Sequence, residues 1–135
     1  MISVTAAVQD AIIAHARADA PVEACGYLAG PDGTASVAIP LKNVDASPEH
    51  FTLDPAEQFA AVRQLRAEGL RLRAVYHSHP ASPSRPSAED IRLGNDPSLS
   101  YIIVSLAGVA PVVKSFRYKD GRAEEEELRV ELRSA

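Results

Sequence analysis

A chain of 135 residues with 46% apolar side chains can fill one hydrophobic core and is too short for two ordinary domains, so a single domain over residues 1–135 is expected. Fourteen basic residues against 18 acidic ones give a net charge of −4, which leaves no broad positive footprint for a phosphate backbone and argues against nucleic acid as a partner. No apolar segment approaches the length of a bilayer span, the N-terminal apolar run lacks a positive flank and is broken by Gln9 and Asp10, and the single cysteine, Cys25, permits no intrachain disulfide. These features point away from a membrane and toward a reducing compartment, the cytoplasm.

In chain order, the first residues, ISV, predict a short strand, and Thr5 then caps a helix in which Val8, Ile12 and Ala16 recur at helical spacing. Pro21 stops that helix. ACGYLAG over residues 24–30 reads as a small-residue strand, PDGT as a turn and SVAIPL as the returning strand, a hairpin. From Lys42 to Pro55 the chain is polar and irregular, with a possible short strand at Phe51 to Leu53, and a loop of this length is expected to be functional or mobile. Asp54 and Pro55 supply an N-cap and a first-turn proline for a helix carrying Phe59, Val62 and Leu65, ending near Gly69. LRAVYHSH follows as a strand, SAEDIRLGND as a short helix and YIIVSL as a continuously apolar, central strand. PVVKSFRY and EELRVELR join across the turn KDGR, the latter a strand by its alternation of Leu128, Val130 and Leu132 with charged residues. The order predicts an α/β or α+β class: one mixed, mainly antiparallel sheet packed by two main helices.

The stretch HSHPASPSRPSAED, residues 77–90, carries the chemistry. In a strand, residues two apart share a face at roughly 6.5 Å, so His77 and His79 can converge on one ion while Ser78 points the other way. Pro80 cannot donate to a ladder, which ends the strand there and leaves both imidazoles at the rim of the sheet. Asp90, on the first turn of the next helix, is within reach as a third ligand. Two nitrogens and one carboxylate with an open fourth position describe a catalytic zinc site, with Fe and Mn compatible with the same ligand types. The same residues admit a plainer account. Ser87-Ala88-Glu89-Asp90 is a capping-box pattern that needs no metal, and two histidines at a strand end can be solvated and idle.

HSHP, a short loop, Ser87-x-x-Asp90 and an upstream Glu23 in PVEACGYLAG together resemble the JAMM motif of the MPN+ metalloprotease family, and the resemblance runs along nearly the whole chain. It implies a JAMM/MPN core, which is cytidine-deaminase-like, with His77, His79 and Asp90 holding Zn²⁺, Glu23 as general base and Ser87 donating a hydrogen bond to the developing oxyanion. It implies peptide or isopeptide hydrolysis without a covalent intermediate. Small stand-alone members resemble prokaryotic enzymes that process a ubiquitin-like, sulfur-carrier type of protein at its C-terminal Gly-Gly tail, and this implies such a substrate here. The other reading that the family offers is a non-catalytic MPN-type binding scaffold for ubiquitin-like proteins. Such members usually lack a motif residue, and this chain lacks none.

Other candidates yield to simpler accounts. Cys25, between Ala and Gly in an apolar segment, reads as a small core residue before it reads as a nucleophile. His15 reads as a helix-surface or core-edge residue, His50 as a solvated loop histidine, and Tyr27, Tyr76 and Tyr101 as core. The cytidine-deaminase signature needs a Cys-x-x-Cys pair that one cysteine cannot supply. For the substrate, the reading is that a Gly-Gly tail lies as an extended strand against Phe51 to Leu53.

Overall fold

The structure is a computed structural model that describes residues 1–132. Strand β1 (Ile2–Thr5) leads into helix α1 (Ala6–Asp19), and Thr5 caps it by accepting the Val8 N–H at 3.2 Å, with Val8, Ile12 and Ala16 buried. Strands β2 (Cys25–Gly30), β3 (Thr34–Ala35) and β4 (Val37–Leu41) follow, then α2 (Pro55–Ala67) behind its Asp54 cap. Strand β5 (Arg71–His79), helix α3 (Ala88–Leu93) and strands β6 (Ser100–Ser105), β7 (Val112–Lys119), β8 (Arg122–Glu126) and β9 (Leu128–Glu131) complete the chain.

The α+β class holds, and the strands divide into two sheets where one was expected. Six form the order β4-β2-β5-β6-β7-β8, antiparallel except for the β5–β6 pair, and three form the parallel order β3-β1-β9. The 25–41 hairpin is present, but Thr34 and Ala35 leave it to pair with Ser3 and Val4. The C-terminal segment likewise splits: Arg122–Glu126 turns back on β7, and Leu128–Glu131 pairs with Ile2–Thr5. Arg133, the end of the last expected strand, lies outside the described residues.

One face of the six-stranded sheet, with Leu28, Ala74, Tyr76, Ile102 and Val104, packs on Val8, Ile12 and Ala16 of α1 and on Ile2 and Val4 of β1. The other face carries Tyr27 and Leu41 under Ala61 of α2, and Tyr101, Ile103, Phe116 and Tyr118 beside Ile91 of α3. Strand β6 is buried along its whole length, as a central strand should be. Helix α2 keeps Val62 and Leu65 of its expected face against the core and departs from it at Phe59. It buries Ala61 and Leu65 while Gln58 reaches the Tyr27 hydroxyl, which turns Phe59 outward, 66% exposed beneath the Arg63 guanidinium. Among the described residues no helix is long and apolar enough to cross a membrane.

Candidate metal centre

Alternation along β5 decides the site. Ala74 and Tyr76 face α1, so Val75 and His77 face the opposite way, and His79, at the last residue before Pro80, shares their side. Both imidazoles are buried, with His77 2% and His79 6% exposed, although they lie at the strand end. Helix α3 then brings Asp90 back. Its Oδ2 lies 3.2 Å from His77 Nε2 and 3.2 Å from His79 Nε2, and the two Nε2 atoms are 3.1 Å apart.

The capping box and the metal-type cluster coexist in one residue. Ser87 Oγ accepts the Asp90 N–H at 3.0 Å, and Asp90 Oδ2, the same oxygen that faces both histidines, accepts the Ser87 N–H at 2.9 Å. The cap therefore aims the carboxylate, and the two sequence readings are complementary. The Ser87 hydroxyl, an acceptor in that bond, keeps its own proton free to donate.

Protonation preferences suit a cation. His79 Nδ1 lies 2.8 Å from the Pro83 carbonyl oxygen, so in the neutral ring Nδ1 carries the proton and Nε2 presents a lone pair to the cluster. Burial pushes the His77 imidazole below its ordinary value, against the opposing hydrogen bond and charge of Asp90. Burial also disfavours charge on His79, but the Asp90 and Pro83 hydrogen bonds and the charges of Asp90 and Glu23 outweigh it and raise the ring. Burial alone would raise Asp90, yet the hydrogen bonds from His77 and His79 prevail and hold it below the usual carboxylate range. Two imidazole nitrogens and a carboxylate oxygen thus converge within van der Waals distance and are the one such group of metal-type donors among the described residues. A divalent ion is the partner that all three can share, so the donor set fits zinc.

Glu23 lies two residues before β2. Cys25 pairs with His77 across the β2–β5 ladder, and continuing that register sets Ala24 opposite Ser78 and Glu23 opposite His79. The Ala24–Ser78 pairing is explicit: Ser78 N–H donates to the Ala24 carbonyl at 2.9 Å, and Ser78 Oγ accepts the Ala24 N–H at 2.8 Å. Glu23 is 2% exposed and its Oε1 has no hydrogen-bond partner. Burial, only partly offset by His79, pushes its carboxyl up to about 8, with Asp90, Glu89 and Glu49 adding to the rise. A raised carboxyl with an uncommitted oxygen can take and return a proton near neutrality.

Cys25 is fully buried and its thiol is pushed up to about 12, chiefly by burial, which leaves it inert as a nucleophile. His15 Nδ1 meets the Tyr76 hydroxyl at 2.7 Å, a core-edge role, and His50 pairs with Asp45 in the loop. The 42–54 loop is more ordered than its composition suggests. Asn43 and Leu53 form a bridge, and Phe51 stacks on the His77 ring at 4.7 Å between centroids and 28° between planes. Phe51, Thr52 and Leu53 border a cavity of about 420 Å³ that runs from His77 and Asp90 past Tyr27 to Tyr101.

Sequence reasoning missed Ser78 and Asn43 as parts of the site, and it placed Phe51 along the substrate without foreseeing its stack on His77. Ser78 carried a signal: a serine alternating with histidines must face the apolar α1 side, where a buried hydroxyl requires a partner. The Asn43 bonds and the Phe51 stack on His77 act across segments distant in sequence and left no local pattern.

Fold and donor set together define a JAB-type domain whose His-x-His pair and Asp form one group of metal-type donors. The chain belongs to the family described as prokaryotic homologs of the JAB domain, whose model matches residues 5–119. It is 37% identical over 124 residues to the CysO-cysteine peptidase of Mycobacterium tuberculosis, covering 90% of this chain and 85% of that one. It is 37% identical over 114 residues to the desampylase of Haloferax volcanii, covering 79% of this chain and 82% of that one. The solution structure of a Desulfitobacterium hafniense protein superposes with a TM-score of 0.90 at 48% identity, covering 98% of this chain and 94% of that one.

Proposed function

We propose that this protein is a zinc-dependent peptidase or isopeptidase that processes a ubiquitin-like, sulfur-carrier type of protein at its C-terminal Gly-Gly tail, in the cytoplasm. The observation that carries this reading is the convergence of His77 Nε2, His79 Nε2 and Asp90 Oδ2 within 3.2 Å, on the sheet side where the ladder register sets the buried Glu23. The names of the two relatives, a peptidase and a desampylase, support the same reaction class.

His77, His79 and Asp90 would hold the zinc, with the Asp90 carboxylate offsetting part of its charge. When bound, zinc supplies a Lewis acid that polarises a carbonyl and acidifies water. Glu23 is the general base: its Oε1, free of protein partners, accepts a proton from the attacking water and returns it to the leaving nitrogen. Ser87 aims its free O–H at the oxygen that gains charge as the carbonyl is attacked. Phe51 to Leu53 line the cavity beside His77, where the main chain of a glycine tail, with no side chain to exclude it, can lie along them.

The test replaces Glu23 with Gln, which keeps shape and all three ligands. Zinc content stays at the parent level while turnover of a ubiquitin-like protein extended beyond Gly-Gly by a short peptide drops by about 10²- to 10⁴-fold. Parental turnover in Glu23→Gln would remove Glu23 from the mechanism.

A further inference from the structure

Glu23 sits outside the sheet ladders, so its main-chain groups have no strand partner, and the 43–47 loop supplies both. Its N–H donates to the Ser47 carbonyl at 2.9 Å, and its carbonyl accepts from Asn43 Nδ2 at 3.1 Å. Asn43 is 7% exposed and fully engaged. Nδ2 also donates to the His50 carbonyl at 3.0 Å, while Oδ1 accepts the N–H of Asp45 at 3.1 Å and of Thr52 at 3.2 Å. Two donors and two lone pairs exhaust what a carboxamide can offer.

Three of the four partners belong to parts with separate tasks. Glu23 precedes Ala24, which is bonded to Ser78 between the two histidines, His50 precedes the Phe51 ring stacked on His77, and Thr52 borders the cavity. One buried side chain therefore ties the proposed base to the segment along the substrate's path. We infer that Asn43 is a positioning residue that fixes Glu23 and the Phe51–Leu53 edge as one unit, so that the loop bordering the substrate also sets the base. This rests on the assignment of Glu23 as general base. The size of the effect follows from geometry, since a displacement of about 1 Å at a reacting group can cost about 10²-fold in rate.

Two variants of the zinc-loaded protein test it. Asn43→Asp keeps the acceptor for Asp45 and Thr52 and loses both donors, Asn43→Ala removes all four bonds, and circular dichroism identifies the variants that fold. In either variant, amide exchange followed by NMR should be at least about tenfold faster at Glu23 N–H, while Ala24 N–H, held by Ser78 from β5, keeps the parental rate. Zinc stays stoichiometric, and kcat on the Gly-Gly fusion falls by about 10- to 10²-fold. Added to Glu23→Gln, either substitution lowers kcat by a smaller factor than it does in the parent, because the share of its effect that passes through the base is already gone. Unchanged exchange at Glu23, or losses that multiply in the double variant, would overturn the inference. Should Glu23→Gln alone keep parental turnover, the base assignment is what fails, and the exchange result still decides whether Asn43 pins that segment.

Discussion

The two faces of the six-stranded sheet are built from the same strands and carry different burdens. Against α1, Tyr76, Ile102 and Val104 meet Ile12 and Val8 in an apolar layer in which the buried Ser78 is matched to the Ala24 main chain. On the other face the residues one step along, His77 and Ile103, divide the work, Ile103 in a small aromatic cluster and His77 in the group of metal-type donors. A period of two is the device: it lets one strand stabilise the molecule with one set of side chains and hold buried metal-type donors with the other. Adjacent residues should therefore fail in different ways.

The largest expected effect comes from the site face. His77→Ala or Asp90→Ala abolishes cleavage and zinc binding while circular dichroism remains that of the folded protein; stoichiometric zinc in both variants would break the ligand assignment. Its counterpart one residue away in register, Ile102→Ala, should cost about 2–5 kcal/mol in urea unfolding, with kcat of the folded fraction kept. Loss of turnover in folded Ile102→Ala would mean that the faces are not separable.

Ser87→Ala sits between the two behaviours. Removing the cap costs about 0.5–2 kcal/mol, and loss of the oxyanion donor lowers kcat by about 10²-fold with KM little changed. A stability loss without a kcat loss would assign Ser87 to the cap alone.

The faces also differ in pH response, because the site face holds the shifted groups Glu23, His77, His79 and Asp90. For the metal-free protein, Glu23 has a folded value of about 8 against an ordinary 4.5. Between these values the folded chain keeps a proton that the unfolded chain has released, so stability declines as pH rises through the window. Urea melts between about pH 5 and pH 9 should show this decline, and Glu23→Gln should flatten it. Zinc runs the other way: a ligand must be unprotonated, and the raised His79 makes loading fall as pH drops through its range. The smallest effect is that of Cys25→Ser, for which turnover should be unchanged, since a thiol at about 12 takes no part.

What was legible in the sequence divides along the line between local and distant interactions. Thr5, Asp54 and Ser87 were readable as caps, and Pro80 as a strand end, because each acts on residues two or three away or on its own peptide bond. His77, His79 and Asp90 were readable as a set because strand period and a helix start fix where they point. The partner of Leu128–Glu131 was not, since alternation marks a strand without naming its neighbour, and that neighbour is β1 at the opposite end of the chain. Phe59 misled because apolar spacing at 59, 62 and 65 competed with the tighter 58, 61 and 65 face that Tyr27 selects. Asn43 escaped notice since its importance lies in main-chain groups far from it in sequence.

The central claim is that this site face performs zinc-dependent hydrolysis, and metal removal with add-back tests it most directly. Protein purified without added metal should carry about one zinc per chain, as one set of three protein donors requires. Chelation should stop cleavage of the Gly-Gly fusion, and equimolar zinc should restore it. Undiminished cleavage by the metal-free protein would contradict the account.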